Sequence, residues 1–253
     1  MSDPAPPHSS FTQALLPITA AALSAVMVAQ VIGHDRRLVA PLVAFLVLLF
    51  APAFFGRRRM RRLLISGDVE RVIGTWEGSI QRVPHRDTMA PLLQATAYAS
   101  YGRVDAARQA LARAVRGPAW DAALEQRLFV ETLLDTFEGD RDRAVRKAQA
   151  LEALPMPRGG LLARRRITRL RKGLAALARA YAHVSREGDA KVLRRAAGAS
   201  PLVHWAMRYA SAILAVDSGQ GGEVSELLSG APDWPAESAF HEYHHELLAR
   251  AAV

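Results

Sequence analysis

Two long uncharged runs open the chain, and beyond them the apolar residues take up a helical rhythm that glycine and proline interrupt at intervals. The first run, residues 11–32, has no formal charge over 22 positions. As a helix it would measure roughly 33 Å at about 1.5 Å per residue, enough to cross a hydrocarbon core of about 30 Å. A polar break, Gly33-His34-Asp35-Arg36-Arg37, leads into a second uncharged run of 18 residues over 38–55. Backbone groups in lipid must be satisfied within their own segment, so the two runs predict an antiparallel transmembrane helical hairpin over 11–55, behind a disordered tail over 1–10. The leader Met1-Ser2-Asp3-Pro4 has no basic stretch and the first run is long for a signal peptide, so the segment is expected to be retained.

Arg57, Arg58, Arg59, Arg61 and Arg62 form a basic juxtamembrane segment over 56–62, against only Arg36 and Arg37 between the two runs. Positive charge stays on the cytoplasmic side, so both termini are expected there, with the chain crossing a bacterial inner membrane twice. Ala21, Ala25, Ala29 and Gly33 recur every fourth residue. That stripe of small residues allows close packing on the second helix or on another membrane protein, a second copy of this chain included.

Over 63–253 the punctuation is regular. Gly67, Gly102, Gly139, Gly188 and Gly219 each separate two apolar helical patterns, and Pro84, Pro118, Pro155, Pro201 and Pro232 follow them. The intervals suit one helix of three to four turns between a tight turn and a stop. An all-α chain of about five helical hairpins is predicted. The second unit, from Pro91 through Ala114, resembles a tetratricopeptide repeat: Ala95, Tyr98, Gly102, Ala107, Leu111 and Ala114 stand where that family places its small and large packing residues. Leu128, Gly139, Ala144, Ala148, Leu151 and Pro155 match in part in the third unit. The layout of two spans, an arginine cluster and helical repeats is also similar to that of the HemY-type bacterial membrane proteins associated with haem biosynthesis.

What the tetratricopeptide resemblance implies is an α-solenoid whose first helices line a concave groove for a partner protein. In this chain those positions are Met89, Leu92, Thr96, Ala99 and Ser100 in one unit and Gln126, Phe129, Leu133, Thr136 and Phe137 in the next. They are apolar or small, without the Lys, Arg and Asn that clamp a terminal carboxylate, and an apolar groove suits an amphipathic helix. The other use open to these residues is packing against the next hairpin or against the chain's own last helix.

Arg158, Arg164, Arg165, Arg166, Arg169, Arg171, Lys172 and Arg179 alternate with Leu161, Leu162, Ile167, Leu170, Leu174 and Leu177. At helical period this is a basic amphipathic helix, open to three readings: a solvated face, a face for lipid or an acidic partner, and a phosphate-binding face for nucleic acid. The last is disfavoured because no aromatic platform is interleaved.

One motif has enzymatic chemistry. His241-Glu242-Tyr243-His244-His245 satisfies the HExxH pattern and resembles the zincin metalloprotease signature, with His241 and His245 one turn apart for a zinc and Glu242 as the base. A third ligand would have to lie upstream, with His204 as a candidate. The plain alternative is a C-terminal capping helix with Phe240, Tyr243, Leu247 and Leu248 on its apolar face. The absence of Cys excludes a disulfide framework, a thiolate metal site and a Cys nucleophile. No Gly-rich phosphate loop occurs, so no cofactor is expected, and binding rather than catalysis is the expected activity.

Overall fold

Helices start and stop where the glycines and prolines stand. A computed structural model of the chain describes residues 54–157 and 159–251. The chain divides into two compact units between Arg59 and Met60, and nearly all of the described part belongs to the second. The expected tail over 1–10 and transmembrane hairpin over 11–55 lie outside the described residues, Phe54 and Phe55 excepted. Among the described residues there is no strand, and no helix is long and apolar enough to cross a membrane. This part is all-α.

The elements are α1 (described over 54–65), α2 (Val69–Ile80), α3 (Arg86–Ser100), α4 (Val104–Ala112), α5 (Pro118–Ala122), α6 (Leu124–Phe137), α7 (Arg141–Ala153), α8 (Leu161–Tyr181), α9 (Asp189–Ala199), α10 (His204–Asp217), α11 (Val224–Leu228) and α12 (Ala239–Ala251). Arg57, Arg58, Arg59, Arg61 and Arg62, expected to be a juxtamembrane segment, lie within α1. Gly67, Gly102, Gly139, Gly188 and Gly219 all carry positive φ, between +71° and +87°, at the turns α1–α2, α3–α4, α6–α7, α8–α9 and α10–α11. This left-handed residue lets the next N–H reach back to an orphan carbonyl of the helix just ended: Arg103 to Tyr98, Asp140 to Asp135, Gln220 to Ala215, at 2.8–2.9 Å. Asp68 and Asp140 then cap the following helix by accepting from the N–H of Arg71 at 3.0 Å and of Arg143 at 3.2 Å.

Each hairpin packs on the next, α2 on α3, α4 on α6, α7 on α8 and α9 on α10, while the first helices α3, α6, α8 and α10 adjoin in series. Alanines at the crossings, among them Ala95, Ala99, Ala107, Ala110, Ala176 and Ala180, let the backbones approach, and Leu92, Leu133, Leu174 and Leu193 fill the space between them. Two helices approach closely at Gly173 of α8, where a Cβ would stand 2.5 Å from the methyl of Ala196 on α9. Gly173→Ala gains about 1 kcal/mol of helix propensity, but overpacking against a fixed methyl costs about 1–3 kcal/mol. The clash wins, and urea unfolding of this variant is expected to show a loss of about 1 kcal/mol rather than a gain.

Pro91 lies inside α3, where its missing N–H leaves the carbonyl of Asp87 without its helical donor. The N–H of Val115 takes that carbonyl at 3.1 Å, and the Thr88 hydroxyl donates to the Val115 carbonyl at 2.8 Å. A gap in one helix thereby stitches it to the loop after α4.

Arg179 near the end of α8 grips Asp189 at the start of α9 through two bonds, of 2.6 and 3.0 Å, and the N–H of Arg186 donates to the same carboxylate at 2.9 Å. Burial pushes the Asp189 carboxyl up, but these donors outweigh it and hold the group below the usual carboxylate range. A depressed carboxylate contributes stability that is complete above its unfolded pKa and disappears as pH falls through the folded one. The stability difference between wild type and Asp189→Asn is therefore expected to shrink below about pH 4, a comparison that denaturant melts at pH 7 and pH 3 make directly.

Later helices pack back on the first two hairpins of the described part. Trp205 of α10 donates from Nε1 to the carbonyl of Ile65 at 2.7 Å, 140 positions away, and the Tyr101 hydroxyl donates to the Leu64 carbonyl at 2.7 Å. After α11 the segment over 231–238 passes back to the second hairpin, where Ser238 Oγ donates to the Tyr101 carbonyl and the N–H of Ala239 donates to the Gly102 carbonyl. Only glycine fits at 102: its φ is left-handed, and a Cβ there would meet the backbone nitrogens of Ala239 and Phe240 at 3.3 Å. From this anchor α12 runs across α10 and α11, so the expected capping helix covers the last hairpin and also ties it to the second.

Candidate partner-binding site

The residues expected to line a groove are interior. Leu92, Thr96, Ala99, Ser100, Phe129, Leu133, Thr136 and Phe137 are all buried, and only Met89 and Gln126 keep partial exposure. The expectation of an open groove at these positions is corrected by two physical facts. Their hydroxyls are already used, each donating to the carbonyl one turn back: Thr96 to Leu92, Ser100 to Thr96, Thr136 to Thr132, at 2.7 Å. Their aromatic end is covered by the chain's own return segment, since the Phe137 ring meets Phe240 edge-on at 5.2 Å. Met89 borders a shallow apolar depression with Val83, Pro84, Pro118 and Ala122 at the outer rim.

The basic helix α8 divides into two halves. From Arg171 to Tyr181 all but Lys172 and Arg179 are buried, while Arg164, Arg165, Arg166 and Arg169 are exposed, as is Lys172. Arg171 does not belong to the basic face: its side chain is 3% exposed. It donates to the carbonyls of Leu154 and Pro155 and pairs with Glu125 at 3.0 Å, closing the loop after α7. The exposed half exists because α8 has 21 residues, against 13 in α7 and 11 in α9, so its neighbours cannot cover it. At its start Leu161 and Leu162 are 74% and 81% exposed. None of Arg164, Arg165, Arg166 and Arg169 has an ion-pair partner among the described residues. Arg57, Arg58, Arg59, Arg61 and Arg62 are also exposed on α1.

The His-Glu-x-x-His motif lies on α12, with the His241 and His245 rings 5.0 Å apart. His241 Nδ1 stands 3.0 Å from the Trp234 carbonyl, an arrangement in which it donates and leaves Nε2 free. Among the described residues no group of three His, Cys, Asp or Glu side chains is placed to hold a metal. His204 lines a different cavity, with Arg194, Arg208 and Glu226. His244, between the two, is engaged structurally: Trp234 Nε1 donates to the Tyr209 oxygen at 2.8 Å, and that hydroxyl lies 3.0 Å from His244 Nδ1, placed to donate to it. Burial, then the neighbouring His245 and His241, lower the His244 pKa, which keeps its imidazole neutral and able to accept.

Among the aromatic residues at the ends of the first helices and within α10, sequence reasoning singled out Phe137 as a groove residue and passed over Tyr101, Tyr181 and Tyr209 as interior residues. Tyr101 follows α3, Phe137 closes α6, Tyr181 closes α8, and Tyr209 sits within α10; together with Trp205, Trp234 and Phe240 they make a continuous aromatic interior. An aromatic one or two residues before the turn glycine in two successive units, Tyr101 before Gly102 and Phe137 before Gly139, was the available signal. In comparisons of sequence and of structure, no protein-family model, curated protein or solved structure matches this chain.

Proposed function

We propose that this chain is a membrane-anchored, tetratricopeptide-like adaptor that holds a partner protein at the cytoplasmic face of a bacterial inner membrane. The two uncharged runs and the arginines that follow them support the anchor and its orientation. Serial helical hairpins with left-handed glycine turns support the repeat scaffold. The observation that carries the reading is the exposed start of α8: two adjacent leucines in solvent beside four uncompensated arginines. Isolated surface leucines are ordinary, but a leucine pair on a protruding helical tip flanked by arginine has the chemistry of an interface core with a charged rim. Its counterpart is an acidic amphipathic segment, whose apolar face covers Leu161 and Leu162 and whose carboxylates take the arginine forks bidentately.

The experiment is co-isolation from solubilised native membranes of wild type, a Leu161→Ser/Leu162→Ser variant and an Arg164→Glu/Arg165→Glu/Arg166→Glu variant. The substituted side chains contact no core, so all three should fold alike. A protein retained by wild type and lost from both variants is the expected result, with retention weakening as salt rises. The same proteins recovered from all three would overturn the reading.

A further inference from the structure

One run of hydrogen bonds ties the return helix to α10, and it is satisfied in only one protonation state. Trp234 Nε1 donates to the Tyr209 oxygen at 2.8 Å, and the Tyr209 hydroxyl stands 3.0 Å from His244 Nδ1 on α12. Tyr209 and Trp234 are both buried. With the indole donating to the phenol oxygen, the phenol proton has His244 Nδ1 as its acceptor. Burial holds the Tyr209 hydroxyl well above the ordinary phenol pKa, so that proton stays in place.

An imidazolium has no acceptor nitrogen. A proton on His244 turns Nδ1 into a second donor aimed at the Tyr209 oxygen, and it strands the phenol proton in a buried cluster, where an unmade hydrogen bond is costly. His241, one turn away, meets no such conflict, because its Nδ1 donates to the Trp234 carbonyl and Nε2 is free to take a proton. Burial first, then His245 and His241, lower the His244 pKa. Exposed Asp233 lines the same cavity as the three histidines, and Glu242 and Glu246 are exposed on α12 itself. The charges of α10, α11 and the turn before it are directed elsewhere: Asp217 lines the cavity beside His183, and Glu223, Glu226 and Arg208 line the one beside His204. Helices α6 and α8 meet α12 through the rings of Phe137 and Tyr181.

We infer that Tyr209, Trp234 and His244 form an acid-sensitive latch on the return helix, in which proton uptake by His244 loosens α12 and the segment over 231–238 from α10. Docking selects the neutral imidazole. Above about pH 6.5, the ordinary imidazole value, that selection costs nothing. Below it the undocked helix, whose His244 is free to take a proton, gains progressively until the docked imidazole is protonated too. Trp234 carries the change inward, because its ring also packs against Tyr101, Trp205 and Phe240.

The test is hydrogen exchange read by mass spectrometry on the purified full chain in detergent, at pH 7.5 and pH 5.5, with each rate divided by the intrinsic rate at that pH. Protection of α12 is expected to fall about tenfold or more at the lower pH while that of α4 and α7 holds. His244→Asn, whose amide oxygen accepts from Tyr209 without titrating, and Tyr209→Phe, which removes the stranded proton, are each expected to flatten the response, and His245→Gln to keep it. Should His244→Asn leave α12 unprotected at pH 7.5, Tyr209→Phe decides. Constant α12 protection in the wild type would overturn the proposal. So would a wild-type fall surviving in either His244→Asn or Tyr209→Phe, a flat response in His245→Gln, or an equal fall in α4 and α7.

Discussion

Phe240→Ala is expected to cost about 4 kcal/mol of stability, the largest effect of any single substitution in the described part of the chain. Phe240 is fully buried, stacked on Tyr209 at 4.7 Å with the rings 5° from parallel, and edge-on to Phe137 and Trp234 at 5.2 and 5.0 Å. It packs the start of α12 into the interior beside Trp234, so its loss removes a large side chain and also weakens the attachment of α12 to the hairpins it crosses. Urea unfolding followed by tryptophan fluorescence reads both, because Trp234 lies in the same cluster. A double-mutant cycle with Tyr209→Leu should return a coupling of about 0.5–1.5 kcal/mol, the value of an aromatic pair beyond its buried area. A loss below about 1 kcal/mol would place Phe240 outside the load-carrying interior.

The second large effect is expected from Lys147→Met, at about 3 kcal/mol. Asp135 in α6 has a side chain only 1% exposed, and Lys147 of α7 stands 2.9 Å from its Oδ2. Its oxygens lack a hydrogen bond of good geometry, so charge holds the carboxylate in place. Arg108 from α4 at 3.6 Å and Arg143 at 4.0 Å are the remaining cations, both more exposed than the lysine. Removing Lys147 leaves a buried carboxylate with only these distant partners, which puts the cost at the lower end of the range for a broken buried pair. Restoring charge with Lys147→Arg should recover most of the loss; no recovery would mean the site reads shape rather than charge.

The turns were readable from the chain because each depends on local chemistry alone: a left-handed position needs glycine, and a helix stops before proline. The spans from Gly67, Gly102, Gly139 and Gly188 to the following prolines each contain one second helix, as the spacing requires. In the fifth span the helix is shorter, since the glycine pair Gly221-Gly222 allows only a single 3-10 turn before α11 begins. Helix α5 was not anticipated because five residues are too few for a periodicity to show.

What the chain could not reveal by local pattern is the return of residues 231–247 across the hairpins. The bonds that fix it, from Ser238 to Tyr101 and from Ala239 to Gly102, each join positions 137 apart and depend on how the stacked hairpins pack. Periodicity assigns Leu92, Thr96 and Phe137 to an inward face but cannot say that the same chain covers it. Arg171 shows the same limit on a smaller scale. Its place in a basic run suggests a surface charge, and only the position of the Leu154 and Pro155 carbonyls makes it an interior clamp. Leu161 and Leu162 stand at the opposite pole: apolar by type, yet left in solvent because α8 outlasts its neighbours.

That exposed start of α8 is where the adaptor reading meets its most direct measurement. A photo-crosslinking side chain placed at Leu162 of the full chain, activated in intact membranes, is expected to capture one protein. The adduct should vanish when Arg164, Arg165 and Arg166 are changed to Glu and should be missing from the same probe at Glu187. Adducts with lipid alone, no adduct, or the same protein captured equally from position 187 would contradict the account.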